Sequence, residues 1–68
     1  MKLSARNQLK GTIVEVKKGQ TTAHIRIDVA GTVVTASITN EAVDELKIKV
    51  GDHVVTVIKA SDVMIAVD

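Results

Sequence analysis

Sixty-eight residues without cysteine, proline, Phe, Trp or Tyr make one small domain, residues 1–68, whose apolar content is Val, Ile, Ala, Leu and Met. Disulfides and thiolate metal sites are excluded, and two histidines are too few for an ordinary structural zinc site. A formal net charge of +1 leaves no broad electrostatic surface for nucleic acid.

The first strand pattern runs from Leu9 to Val16, rich in β-branched types, with Gly11 marking a bend. Lys17-Lys18-Gly19-Gln20 reads as a tight turn. From Thr21 to Val29 alternation is clean: Ala23, Ile25, Ile27 and Val29 share one face, His24, Arg26 and Asp28 the other. Ala30-Gly31 is a second hairpin signal. Thr32 to Thr39 follows as a third strand, with Val34, Ala36 and Ile38 inward and Thr35 and Ser37 outward.

Asn40 interrupts the β pattern and reads as a helix N-cap, with Glu41, Asp44 and Glu45 in the first turns, where negative charge suits the helix dipole. Val43 and Leu46 form a short apolar stripe, and Lys47 and Lys49 sit near the end of about two turns of helix. Gly51-Asp52 turns the chain into a fourth strand, His53 to Lys59, apolar on both faces. After a turn at Ser61-Asp62, Val63 to Val67 reads as a fifth strand, uniformly apolar and therefore in need of burial on both sides. Three strands, a short helix and two more strands is the order of an OB-like Greek-key barrel: an all-β chain with one short helix.

So short a chain is marginal alone, and with no disulfide, metal or aromatic side chain to staple it the expectation is an obligate oligomer. No apolar run approaches the ~20 residues of a membrane span. Met1-Lys2-Leu3-Ser4 carries no apolar signal core, so a cytoplasmic protein is expected.

Chemistry concentrates at the two ends. Ser4-Ala5-Arg6-Asn7-Gln8 carries a hydroxyl, a guanidinium and two amides with no acid, and Lys59-Ala60-Ser61 adds an ammonium and a second hydroxyl. A tetrahedral dianion presents acceptors in every direction, so converging donors without a carboxylate are what its site requires. Charge-assisted hydrogen bonds of this kind are roughly twice as strong as neutral ones. A donor-only site also rejects hydrogen phosphate, whose proton left unpaired costs about 1 to 3 kcal/mol. On the residues alone the simpler reading stays open: Arg6 and Lys59 as ordinary solvated charges, with Asn7 and Gln8 bonding strand-end backbone. His24, His53 and the Lys17-Lys18 pair read as surface residues, and Asp62 as orienting a donor or closing a turn.

No nucleophile–base spacing, P-loop or dinucleotide fingerprint is present, so the chain does not read as an enzyme. Nucleic-acid binding, which the OB-like order raises, lacks the aromatic side chains on which single-stranded bases stack.

Ser4-Ala5-Arg6-Asn7-Gln8-Leu9-Lys10-Gly11, taken with Val57-Ile58-Lys59-Ala60-Ser61-Asp62-Val63-Met64-Ile65, closely resembles the molbindins, the small molybdate- and tungstate-binding Mop proteins. The same module occurs in molybdate-responsive regulators and at the end of molybdate-transporter ATPases. The resemblance spans essentially the whole chain and implies a TOBE-like barrel whose subunits exchange strands to form dimers, three of which build a hexamer. It implies one oxyanion site at a subunit interface from Ser4, Arg6, Lys59 and Ser61, with Ala5, Asn7 and Ala60 supplying backbone groups. A second site, where dimers meet, maps to Gly19, Gln20, Thr21 and Thr22. The implied function is reversible binding and intracellular storage of molybdate, with tungstate as a second ligand and no organic cofactor. The alternatives are an occupancy-sensing interaction module and a purely structural oligomer.

Overall fold

The computed structural model describes residues 4–68; Met1–Leu3, read above for targeting character, lie outside the described residues. Three antiparallel strands follow in succession: β1 (Asn7–Lys18), β2 (Thr22–Val29) and β3 (Thr32–Thr39). A helix, α1 (Asn40–Leu46), leads to β4 (His53–Ile58), and a single 3-10 turn follows at Ala60–Asp62. The four strands form one sheet in the order β3-β2-β1-β4, so the last strand returns to lie beside the first. The sheet is open. No helix among the described residues is long and apolar enough to cross a membrane.

Alternation on β2 decides the inside. Ala23, Ile25 and Ile27 are buried, and with Ile13 of β1 and Val43 of α1 they form the core. Ala36 and Ile38 of β3, Ile48 and Val54 pack half-buried around it. Thr35 and Ser37 face outward as their register requires. Four buried Ile and Val side chains, each worth roughly 1.5 to 3 kcal/mol, and the smaller Ala23 make a small core for 68 residues.

Two features bend β1. A bulge between Ile13 and Glu15 leaves Val14 without a partner on β2, and Gly11 lies against that strand. A Cβ on Gly11 would sit 2.6 Å from Ile27 Cγ2 and 2.7 Å from the Asp28 carbonyl oxygen. Because the second of these is backbone, no rotamer change relieves it. Gly11→Ala is therefore expected to lower stability by about 1 to 3 kcal/mol, the usual cost of overpacking, measured by urea titration. An unchanged midpoint would contradict this close approach.

The second hairpin is tight. Ala30 (φ 51°) and Gly31 (φ 91°) both take positive φ, as a two-residue turn matched to the strand twist demands. The Gly31 amide donates to Asp28 Oδ1 at 3.0 Å.

Several expectations are corrected. Thr39 caps α1, accepting the Ala42 amide at 3.0 Å; Asn40 is the first helical residue instead. The cap position belongs to the last extended residue, and Thr39 (φ −72°, ψ 153°) still holds β geometry there. Leu46 is 67% exposed, so Val43 alone carries the helix's contact with the core. β1 extends from Asn7 to Lys18, longer than the Leu9–Val16 pattern, because polar ends pair as readily as apolar ones once a ladder is running. β4 stops at Ile58, one residue before Lys59.

The fifth strand is the largest departure. Val63 to Val67 joins no ladder, and Met64, Ile65 and Val67 are 93%, 91% and 92% exposed. The 3-10 turn at Ala60–Asp62 carries the chain off the end of β4, so the segment meets no edge of its own sheet. Its composition asks for burial; the single chain offers none.

Candidate functional site

The β1–β4 ladder positions the two ends of the chain. Asn7 pairs with Ile58, Gln8 with Val57 and Leu9 with Thr56. The residues before Asn7 and those after Ile58 thus leave the sheet from the same end. Ser4, Ala5 and Arg6 are thereby brought to the side of the fold that carries Lys59, Ala60 and Ser61. Ala5 and Asn7 are half-buried; Ser4, Arg6, Lys59, Ala60 and Ser61 are exposed. Among the described residues neither Arg6 nor Lys59 forms an ion pair, while Lys18, Arg26 and Lys49 each find a carboxylate.

The backbone here is arranged so that acceptors are occupied. Asn7 Nδ2 donates to the Ile58 carbonyl at 3.2 Å, and Gln8 Nε2 to that of Ala5 at 3.4 Å. The Lys59 carbonyl accepts the Asp62 amide at 2.9 Å, and that of Ala60 accepts the Val63 amide at 3.3 Å. Four carbonyl oxygens are taken up in this way. The 3-10 turn's first internal bond is donated by Asp62, so the amides of Ala60 and Ser61 have no acceptor within it. Ser4, Arg6, Lys59 and Ser61 add two hydroxyls and two cations on exposed residues, and Asp62 in the turn is exposed as well.

Asn7 and Gln8 therefore act through their side chains as braces at the strand end, the simpler of the two roles read for them. Asp62 closes the turn through its backbone amide, as expected of it.

Gly19, Gln20, Thr21 and Thr22 sit at the far end of the 12-residue β1. All four are exposed. The chain does not bring them near Ser4–Asn7, so one subunit carries two separate candidate regions. His24 is exposed, and His53 Nδ1 lies 3.4 Å from Thr12 Oγ1 on the same cross-strand row.

A third feature lies between the regions. An apolar groove of about 830 Å³ opens along the sheet interior, with Ile25, Ile27, Ala36, Ile38, Leu46 and Val54 in its walls. Buried Thr56 Oγ1, also on this groove, has no hydrogen-bond partner. Among the described residues no group of three or more His, Cys, Asp or Glu side chains is placed to hold a metal ion.

Residues 3–65 match the TOBE domain model. The chain belongs to the TOBE family. It is 47% identical over 66 residues to molybdenum-pterin-binding protein 3 of Clostridium pasteurianum, covering 96% of this chain and 97% of that one. Its fold matches the solved structure of MopII from the same organism with a TM-score of 0.90 and 43% identity, over 97% of this chain and 100% of the other. A molybdate-binding protein from Sporomusa ovata superposes with a TM-score of 0.94 at 38% identity, covering 97% and 98% of the two chains. The family is thus fixed along nearly the whole length, and both termini that carry the candidate site fall inside the matched region.

Proposed function

We propose that this TOBE-family chain binds molybdate reversibly and serves as a cytoplasmic store of it, with tungstate as a second ligand. The observation that supports this reading is the Asn7–Ile58 register, from which Ser4–Arg6 and Lys59–Ser61 leave the same end of the β1–β4 ladder, with four neighbouring carbonyls engaged. Two exposed cations without a carboxylate partner suit a dianion, and hydroxyls and free amides suit its oxygens. The relatives support the choice of anion: the Sporomusa ovata protein is a molybdate-binding protein, and the Clostridium relative is named for molybdenum. In this reading Ser4, Arg6, Lys59 and Ser61 hold the anion, and Ala5, Asn7 and Ala60 add backbone groups. Gly19, Gln20, Thr21 and Thr22 form the second site.

Assembly completes the reading. The exposed Val63–Val67 segment and the open apolar groove are two unfilled halves, and exchange of this segment between subunits fills both. An incoming strand also brings backbone groups within reach of Thr56 Oγ1. Exchange supplies the fifth strand of the Greek-key barrel, whose first four strands the β3-β2-β1-β4 order supports. The oligomer we propose is a hexamer built as a trimer of dimers, with the oxyanion sites at its interfaces.

Calorimetric titration of anion-free protein with molybdate, repeated in excess sulfate, tests the function. Saturable heat that survives sulfate is the expected result. Absence of heat, or its loss in sulfate, would favour a structural oligomer or a sensing module over a store.

A further inference from the structure

The Gly19–Thr22 loop is held by a residue that sequence reading assigned a different job. The Asn40 backbone amide donates to the Thr21 carbonyl at 2.8 Å, and Asn40 Nδ2 donates to the Gly19 carbonyl at 3.0 Å. Within the loop, the Gly19 amide donates to the Thr22 carbonyl at 2.8 Å. Three of the loop's four carbonyl oxygens are therefore occupied. Two of the three are held by Asn40. The amides of Gln20 and Thr21 have no backbone acceptor among the described residues, and the hydroxyls of Thr21 and Thr22 lie on exposed residues. Of the loop's backbone carbonyls only that of Gln20 is left without a partner among the described residues.

Asn40 holds this position at a cost. Its Oδ1 is buried without a hydrogen-bond partner, which ordinarily disfavours a polar side chain. Helix α1 does not need it, since Thr39 supplies the cap. An apolar residue would avoid the orphaned acceptor, and an aspartate would suit the helix dipole better. Neither offers an N–H to the Gly19 carbonyl.

We infer that Asn40 is a positioning residue for oxyanion binding at Gly19–Thr22: it withdraws the loop's carbonyl oxygens and so leaves the Gln20 and Thr21 amides free to meet an anion. The inference rests on the second site proposed above. Its physical content is pre-organisation, because a loop whose acceptors are already fixed loses less freedom when the anion arrives. It also removes the repulsion that a carbonyl oxygen would present to an oxyanion.

The test is a titration of 15N-labelled chain with sodium molybdate, following the amide signals of Gln20 and Thr21 beside those of Ala60 and Ser61. Asn40→Ala removes both the donor and the orphaned acceptor while keeping the backbone bond to Thr21, so the fold is retained. For this variant the Gln20 and Thr21 midpoints are expected to rise about tenfold, the scale of one lost net hydrogen bond. The Ala60 and Ser61 midpoints and the melting temperature stay at wild-type values. Asn40→Asp, nearly isosteric but without the N–H₂ donor and with a negative charge beside the loop, raises the Gln20 and Thr21 midpoints at least as far as Asn40→Ala. Unchanged Gln20 and Thr21 midpoints in Asn40→Ala, recovery in Asn40→Asp, or equal weakening at both regions would overturn the positioning role. If Gln20 and Thr21 do not move in the wild-type protein while Ala60 and Ser61 do, the second site itself fails, and the inference fails with it.

Discussion

Arg6→Ala and Lys59→Ala are each expected to weaken molybdate binding by roughly 10- to 150-fold while leaving the oligomer and its melting temperature unchanged. The estimate follows from one hydrogen bond to a charged group, about 1.5 to 3 kcal/mol, at tenfold per 1.4 kcal/mol. Both side chains are exposed, and neither has a carboxylate partner among the described residues. Their removal therefore costs the fold nothing that the single chain shows. Calorimetry on the two variants checks the first part, and size-exclusion chromatography with light scattering the second. Wild-type affinity in both would mean that they are solvated surface charges and that the anion binds elsewhere. Arg6→Lys is a finer probe. It keeps the charge but not the planar fork of donors, so it should fall between wild type and Arg6→Ala.

The second large effect concerns the tail. Ile65 is 91% exposed in the single chain, so Ile65→Asp would be harmless to a monomer. If the segment fills the groove of another subunit, the substitution instead places a carboxylate among Ile25, Ile27 and Ile38 with no cation to meet it. Burying an unpaired charge costs several kcal/mol. For a domain of this size each kcal/mol shifts the melting temperature by about 4 to 8 °C, so a fall of 15 °C or more is expected. The assembly should also dissociate at micromolar concentration, as seen by light scattering. An unchanged mass and melting temperature would show that Val63–Val67 is not an interface. The core of Ile13, Ala23, Ile25, Ile27 and Val43 would then have to sustain the fold unaided.

The positions of the first four strands, their facing and both hairpins were legible because they follow from local rules. The period-two alternation of Ala23, Ile25 and Ile27 names the buried face, and Ala30-Gly31 names a turn with two positive φ angles. That Ser4–Arg6 and Lys59–Ser61 belong to one site is implied by resemblance alone; the structure adds the Asn7–Ile58 register, which starts both segments from the same end of the ladder. Register between strands some fifty residues apart is set by the whole sheet rather than by either strand, so no local pattern encodes it.

What was misread shares one cause. Asn40 has the right chemistry for a cap, yet Thr39 stands one residue earlier with the same capability and the correct backbone geometry. That freed Asn40 for the Gly19 and Thr21 carbonyls, a contact across about twenty residues that no spacing announces. Leu46 fits a helical stripe with Val43, but α1 spans seven residues and turns only its middle toward the sheet. Val63–Val67 has the composition of a buried strand. Composition says that such a segment must be covered and is silent on which chain covers it.

Both candidate regions share one construction. Side-chain amides occupy carbonyl oxygens in each: Asn7 and Gln8 at one end of β1, Asn40 at the other. An oxyanion site is made as much by removing acceptors as by adding donors. That is why residues touching no ligand matter to the account.

The central claim, that molybdate is held between Ser4–Arg6 and Lys59–Ser61, is tested most directly by crystals grown with molybdate and measured at the molybdenum absorption edge. The anomalous difference map should show a peak within hydrogen-bond distance of the Ser4 and Ser61 hydroxyls and of the Arg6 and Lys59 side chains. A map with no peak there, or with molybdenum only at sites remote from both termini, would contradict it.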